Sequence, residues 1–269
     1  MQGEIGLSNN FVFQEAMSDE RVAKPFLEAL LGKKIAKIKY INKEQNEKAA
    51  ISAHGIRLDV YIDDGTGTVY NIEMQQLKDA LEQRSRYYQS GIDRITLSAG
   101  ADYDELKESF VIFVCRFDYY GTGVAKYERT ACINGDMSIP FTDGSHVIFL
   151  NAMYKDASDI DPAIAEFLDI VRTDDIEAGF TSDLAKAAVD AVRRVRADEG
   201  KVVRYMTLEM EMLRREKIGR EKGRSEGEDM FAQLATKLLA LGRPNDVVVA
   251  ARDTAQRNRF YAEFGLVPH

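Results

Sequence analysis

Arg57-Leu58-Asp59-Val60-Tyr61-Ile62-Asp63, then Asp64-Gly65-Thr66-Gly67-Thr68, then Val69-Tyr70-Asn71-Ile72-Glu73-Met74-Gln75, decides the fold. Two runs that alternate with a period of two flank a glycine-bearing connector, the pattern of a β-hairpin whose strands are half-buried. Folding the pair about Thr66 sets Asp59 opposite Glu73 and Arg57 opposite Gln75. On the other face Leu58 meets Met74, Val60 meets Ile72 and Ile62 meets Tyr70. One face is then wholly apolar, and the other carries Asp59, Glu73 and Gln75 together. A one-residue slip in register would exchange the faces.

Directly opposed residues of an antiparallel pair have Cβ atoms roughly 4.5–5.5 Å apart, and like charges there repel. A divalent metal relieves that repulsion. Two carboxylates and a backbone carbonyl suit a hard, oxygen-preferring ion such as Mg²⁺ or Mn²⁺. A solvated sheet face neutralised by Arg57 or a lysine satisfies the same spacing.

The helix expected after the hairpin adds cations to this neighbourhood. Arg84 and Tyr88 stand four residues apart and share a helical face, with Tyr87, Gly91 and Arg94 on the next strip. An arginine beside a carboxylate pair balances its charge or clamps a phosphate bidentately; pairing within its own helix is the simpler alternative.

Outward from the hairpin the order of elements is a mixed one. Phe11 to Leu31 reads as a helix ending at Gly32, and Ile35 to Ile41 alternates as a strand. Gln76 to Leu97 reads as a long helix with Leu77, Leu81, Tyr88, Ile92 and Ile95 inward. Glu108 to Phe117 is apolar enough for a central strand. Ala125 to Ile133, Met137 to Ile139 and His146 to Leu150 read as further strands. Beyond Asp161 the pattern is helical, with Pro162 at a first-turn position. The class is therefore α/β, a mixed central sheet flanked by helices and followed by a helical extension.

Four segments follow: a core over 1–160, a helical extension over 161–215, a Glu/Lys/Gly/Arg-rich linker over 216–230, and a small helical segment over 231–269. Glycine at the linker's frequency weakens a helix, so it reads as mobile or semi-helical. Short helices around Leu241-Gly242-Arg243-Pro244 suit a helix-turn-helix or a dimerisation hairpin.

Composition narrows the function. The chain has 269 residues, 45% hydrophobic and 30% charged, as in ordinary globular proteins. No apolar run approaches bilayer-spanning length and the first residues lack the regions of a signal peptide, so a cytoplasmic protein without membrane contact is expected. Two cysteines, Cys115 and Cys132, have no metal-ligand neighbours and read as reduced core or near-core thiols. Three histidines at no ligand spacing argue against zinc. The net charge is −8, but Arg193 to Arg224 carries an excess of five positive charges, leaving −13 on the rest. Such a local basic stretch suits phosphates or, more blandly, an ion-paired helix surface.

At this point the chain resembles a known family. A helix, an aspartate on a strand, a glycine turn, Glu-x-Gln on the next strand and then a helix is the layout of the PD-(D/E)XK nuclease core. More narrowly, the chain is similar to that superfamily's recombination-promoting nuclease and transposase family. The resemblance runs from about Asn9 to Gly227. It is carried by Asn10 to Phe13, Phe26 to Gly32, Ile56 to Val60, Tyr70 to Gln75, Arg84 to Ser90, Gly100 to Lys107, Val111 to Val114, Ile148 to Asn151 and Tyr205 to Met210.

The resemblance implies a metal-dependent DNA endonuclease in which Asp59, Glu73 and the Met74 carbonyl ligate Mg²⁺ or Mn²⁺ and Gln75 completes the catalytic set. Gln75 stands where the wider superfamily has lysine; it orients water but supplies no positive charge. Arg84 and Tyr88 are candidates for DNA contact. The family's Phe-Lys near the start is here Phe13-Gln14-Glu15, and Glu15 is a candidate acidic helper. DNA is the expected partner, with a homodimer as a further possibility. A degenerate relative that binds DNA or a partner without cutting is the alternative, and strand transfer is not separated from hydrolysis by these residues.

Overall fold

The computed structural model describes residues 5–40 and 60–266, and divides into two compact units, 1–201 and 202–269. The first unit holds a mixed six-stranded sheet. Its strands are β1 (Lys39–Tyr40), β2 (Val60–Asp63), β3 (Val69–Gln75), β4 (Ser109–Cys115), β5 (Lys126–Glu128) and β8 (Ser145–Asn151); β6 (Cys132–Ile133) and β7 (Asp136–Pro140) form a separate small ribbon. The order is β1-β2-β3-β4-β8-β5, parallel at β3-β4 and β4-β8 and antiparallel elsewhere.

The hairpin has the expected register over its described length: Val60 faces Ile72, Tyr61 faces Asn71 and Ile62 faces Tyr70. Its connector is held by two aspartates. Asp64 accepts from Thr66 N at 2.8 Å, Thr66 Oγ1 at 2.7 Å and Tyr70 Oη at 3.1 Å, while Asp63 accepts from Gly65 N at 2.7 Å. Gly65 and Gly67 have φ of 75° and 111°, conformations that side chains rarely adopt.

Alternate residues of β2, β3 and β4 feed two cores. Val60, Ile62, Tyr70, Ile72 and Met74 pack against α1 (Asn10–Met17), α2 (Glu20–Leu31), α4 (Pro162–Thr173) and α5 (Asp183–Ala197). The opposite face packs Tyr61, Val69, Val111 and Phe113 against Leu81, Tyr88 and Ile92 of α3 (Leu81–Thr96). Both faces of the sheet are therefore covered, and all seven residues of β3 are buried. The helices α4 and α5 share the core of the first unit.

Several expected elements differ. Phe11 to Leu31 is two helices, because Asp19 accepts from Arg21 N at 3.0 Å and caps a second start. Of Ile35 to Ile41 only Lys39–Tyr40 is strand, and Ile41 lies outside the described residues. The helix expected from Gln76 starts at Leu81, which leaves Leu77 79% exposed; Ile95, in the last turn, is 44% exposed. Cys115 is buried and Cys132 half-buried. The Glu/Lys/Gly/Arg stretch lies inside a continuous helix, α6 (Glu199–Ala240), where pairs such as Lys222–Glu226 at 3.6 Å and Arg224–Glu228 at 3.7 Å follow i,i+4 spacing.

The second unit closes its own small core. Leu234 and Leu238 of α6 pack with Ala250 of α7 (Pro244–Arg252) and Tyr261 of α8 (Thr254–Glu263), both within the segment read as helical. Arg243 joins Asp246 and Glu263, each at 2.6 Å. Among the described residues no helix is long and apolar enough to cross a membrane.

Candidate active site

The period of two along β3 turns Asn71, Glu73 and Gln75 toward α3, while Tyr70, Ile72 and Met74 enter the larger core. All three polar side chains are buried, Glu73 at 2% exposure. A carboxylate so far from water needs a compensating charge and hydrogen bonds. It has both. Glu73 Oε1 accepts from Asn71 Nδ2 at 3.1 Å, and Oε2 accepts from Tyr88 Oη at 3.3 Å. The Arg84 guanidinium lies 3.5 Å from Oε2.

Helix α3 delivers Arg84 and Tyr88 together because they are one turn apart. Arg84 Nη2 donates to Tyr88 Oη at 2.7 Å and Nη1 donates to Gln75 Oε1 at 2.7 Å. The guanidinium also lies over the rings of Tyr88 and Phe113, 5.4 and 6.0 Å from their centroids. Burial pulls the Arg84 pKa down, but the Tyr88 hydroxyl and the Glu73 charge outweigh it and hold the guanidinium above its ordinary value.

The chemistry of this cluster is that of hard oxygen donors. Asn71 Oδ1 is buried without a hydrogen-bond partner, beside the amide nitrogen that grips Glu73. The Glu73 carboxylate, on one strand face with the amide oxygens of Asn71 and Gln75, offers the oxygen donors that Mg²⁺ or Mn²⁺ prefers. Cys115, paired in register with Gln75, is no competitor: burial pushes its thiol up to about 12, with Arg84 pulling only weakly the other way. Among the described residues no group of three or more His, Cys, Asp or Glu side chains is placed to hold a metal.

Of the sequence-predicted residues, Glu73, Gln75, Arg84 and Tyr88 are brought together. Asp59, with the opposed pairs Asp59–Glu73, Arg57–Gln75 and Leu58–Met74, lies outside the described residues. Glu15 is engaged elsewhere, paired with Lys201 Nζ at 2.8 Å. Sequence reasoning missed Asn71, although its place two residues before Glu73 was a usable signal. It also missed a knot next to the end of β3. There Gln76 Nε2 donates to Ser8 O at 2.8 Å, Ser8 Oγ donates to Asp174 at 2.6 Å, and Arg116 donates to Ser8 Oγ at 2.9 Å. Partners 166 residues apart leave no local trace.

Residues 8–168, more than half the chain, match the family described as PD-(D/E)XK nuclease family transposase. The chain belongs to that family. Family membership covers the whole sheet and the helix that carries Arg84 and Tyr88, so the buried Glu73 cluster lies within the matched region. No curated protein and no solved structure matches the chain.

Proposed function

We propose that this family member is a divalent-metal-dependent DNA endonuclease, hydrolysing phosphodiester bonds in recombination or the movement of mobile elements. The observation that carries this reading is the buried Glu73 carboxylate, on the same β3 face as Asn71 and Gln75, with a cation from α3 within reach. In this reading Asp59, Glu73 and the Met74 carbonyl hold Mg²⁺ or Mn²⁺. The ion would supply Lewis acidity and a bound water of lowered pKa.

The chain's own residues do the rest. Asn71 fixes one oxygen of Glu73 so that the other faces the reaction centre. The Gln75 amide orients the attacking water by hydrogen bonding. Arg84, steered by Tyr88, contacts a DNA phosphate, placing beside Gln75 the positive charge that glutamine lacks. Glu15 is given no part, because Lys201 already neutralises it. A cytoplasmic location fits this activity. The small helical unit is the proposed place for added DNA affinity or for a homodimer. Deleting residues 218–269 should weaken DNA retention or shift sedimentation while the sheet unit stays folded.

A second reading is that the chain binds DNA or a protein partner without cutting. Glu73 already has Arg84 as counter-ion, Gln75 is already bonded to the same guanidinium, and the described residues hold no three-ligand group. Taken on the described residues alone, this reading has the firmer support. The two are separated by measuring plasmid cleavage and DNA retention side by side. Retention with metal-independent background cleavage selects the second.

A further inference from the structure

We infer that Arg84 is a resident counter-ion of Glu73, which a divalent cation must displace, and that the freed guanidinium is then the group that takes the phosphate. The inference rests on the metal-dependent reading above and adds to it an order of events and a competition.

The geometry makes Arg84 a placeholder. Its guanidinium sits 3.5 Å from Glu73 Oε2, on the side of the carboxylate not taken by Asn71. Its two firm hydrogen bonds, at 2.7 Å, go instead to the uncharged Gln75 and Tyr88. The ionic contact is therefore the loosest of the three. The side chain is 30% exposed, so it has a way out toward solvent, whereas Glu73 at 2% has none. A cation entering beside Glu73 meets an existing positive charge at a few ångströms in a site shielded from water, where repulsion is strong. Metal and Arg84 therefore oppose each other at Glu73. A DNA phosphate that accepts the guanidinium removes the opposition, and metal and DNA bind cooperatively.

The test is Mn²⁺ titration by calorimetry without DNA, on the full chain, for wild type, Arg84→Gln, Arg84→Lys and Glu73→Gln. Arg84→Gln is expected to bind Mn²⁺ about tenfold more tightly than wild type, and Arg84→Lys about as wild type, since it keeps the charge. An Arg84→Gln affinity equal to or weaker than wild type overturns the inference. If Glu73→Gln binds Mn²⁺ as well as wild type, the ion is not at Glu73 and the functional reading falls with it.

A second measurement does not depend on the folding of Arg84→Gln. In wild type the Arg84 side-chain NMR signal, assigned by its loss in Arg84→Lys, should exchange slowly with water in the absence of metal and quickly once Ca²⁺ saturates the site. A signal that stays protected at saturation overturns the inference.

Discussion

Arg84 spans both polar side chains at the end of β3: one guanidinium nitrogen lies 2.7 Å from Gln75 Oε1 and the other 3.5 Å from Glu73 Oε2. One cation thus serves a buried carboxylate and occupies the surroundings of the residue that replaces lysine. This relationship ties the sheet to α3 through charge as well as through the packing of Tyr88 on Phe113.

Asn71 should matter as much for the stability of the site as for its shape. Replacing it with leucine leaves Glu73 Oε1 short of the donor it has now, at a cost of about 1–3 kcal/mol. Urea denaturation of Asn71→Leu should show that loss, and Mn²⁺ affinity should fall with it. Unchanged stability and unchanged Mn²⁺ affinity would remove Asn71 from the site.

The hairpin and the pairs Val60–Ile72 and Ile62–Tyr70 were legible because apolar residues at alternate positions can be buried together in only one register. Glu73 and Gln75 follow from the same alternation, which also puts Asn71 on their face although its role was missed. The start of α3 was not legible. Ala80, before Leu81, makes no side-chain cap; Asp79 Oδ1 accepts from Ala80 N at 2.8 Å instead, one residue ahead of the usual capping position, so the ordinary marker is displaced and Leu77 lies outside the helix, exposed. The break between α1 and α2 had a local signal in Ser18-Asp19, but apolar residues on both sides continued the period across it.

Continuity of α6 through a glycine-bearing stretch has a direct test. A Cβ at Gly219, Gly223 or Gly227 would meet nothing within 4 Å. Alanine at each position should then stabilise the helix by about 0.5–1 kcal/mol through reduced backbone freedom in the unfolded chain. Circular dichroism during thermal unfolding reads the gain. No gain at any of the three would mean that the segment is not helical in solution.

Acid should loosen the junction of α4 and α5. Glu166 accepts from Thr181 N at 3.0 Å, Thr181 Oγ1 at 2.6 Å and Ser182 N at 2.8 Å. Burial raises its pKa, but these donors outweigh it and bring the carboxyl down from 4.5 to about 2. A folded-state pKa below the unfolded one adds stability that is present above the unfolded value and lost as pH falls through the folded one. Wild type should therefore exceed Glu166→Gln in stability near neutral pH, with the gap shrinking from about pH 4.5 down to about pH 2. A gap that does not vary with pH would contradict this assignment.

The knot beside β3 leaves no room at Gly6. A Cβ there would collide with the Asp174 side chain, and Asp174 is held by Ser8 and Arg116. Gly6→Ala should destabilise the first unit by about 1–3 kcal/mol, as overpacking does. Melting unchanged from wild type would show that the amino-terminal segment sits elsewhere.

Metal-dependent cutting through Asp59 and Glu73 is tested by relaxation of supercoiled plasmid in Mg²⁺ or Mn²⁺ by purified wild type, Asp59→Ala and Glu73→Ala, with folding checked by circular dichroism. Wild type should nick or linearise the plasmid only when the metal is present. Both variants should be reduced to the level of wild type in chelator. Equal cleavage by all three proteins, or none by folded wild type under any of these conditions, would contradict it.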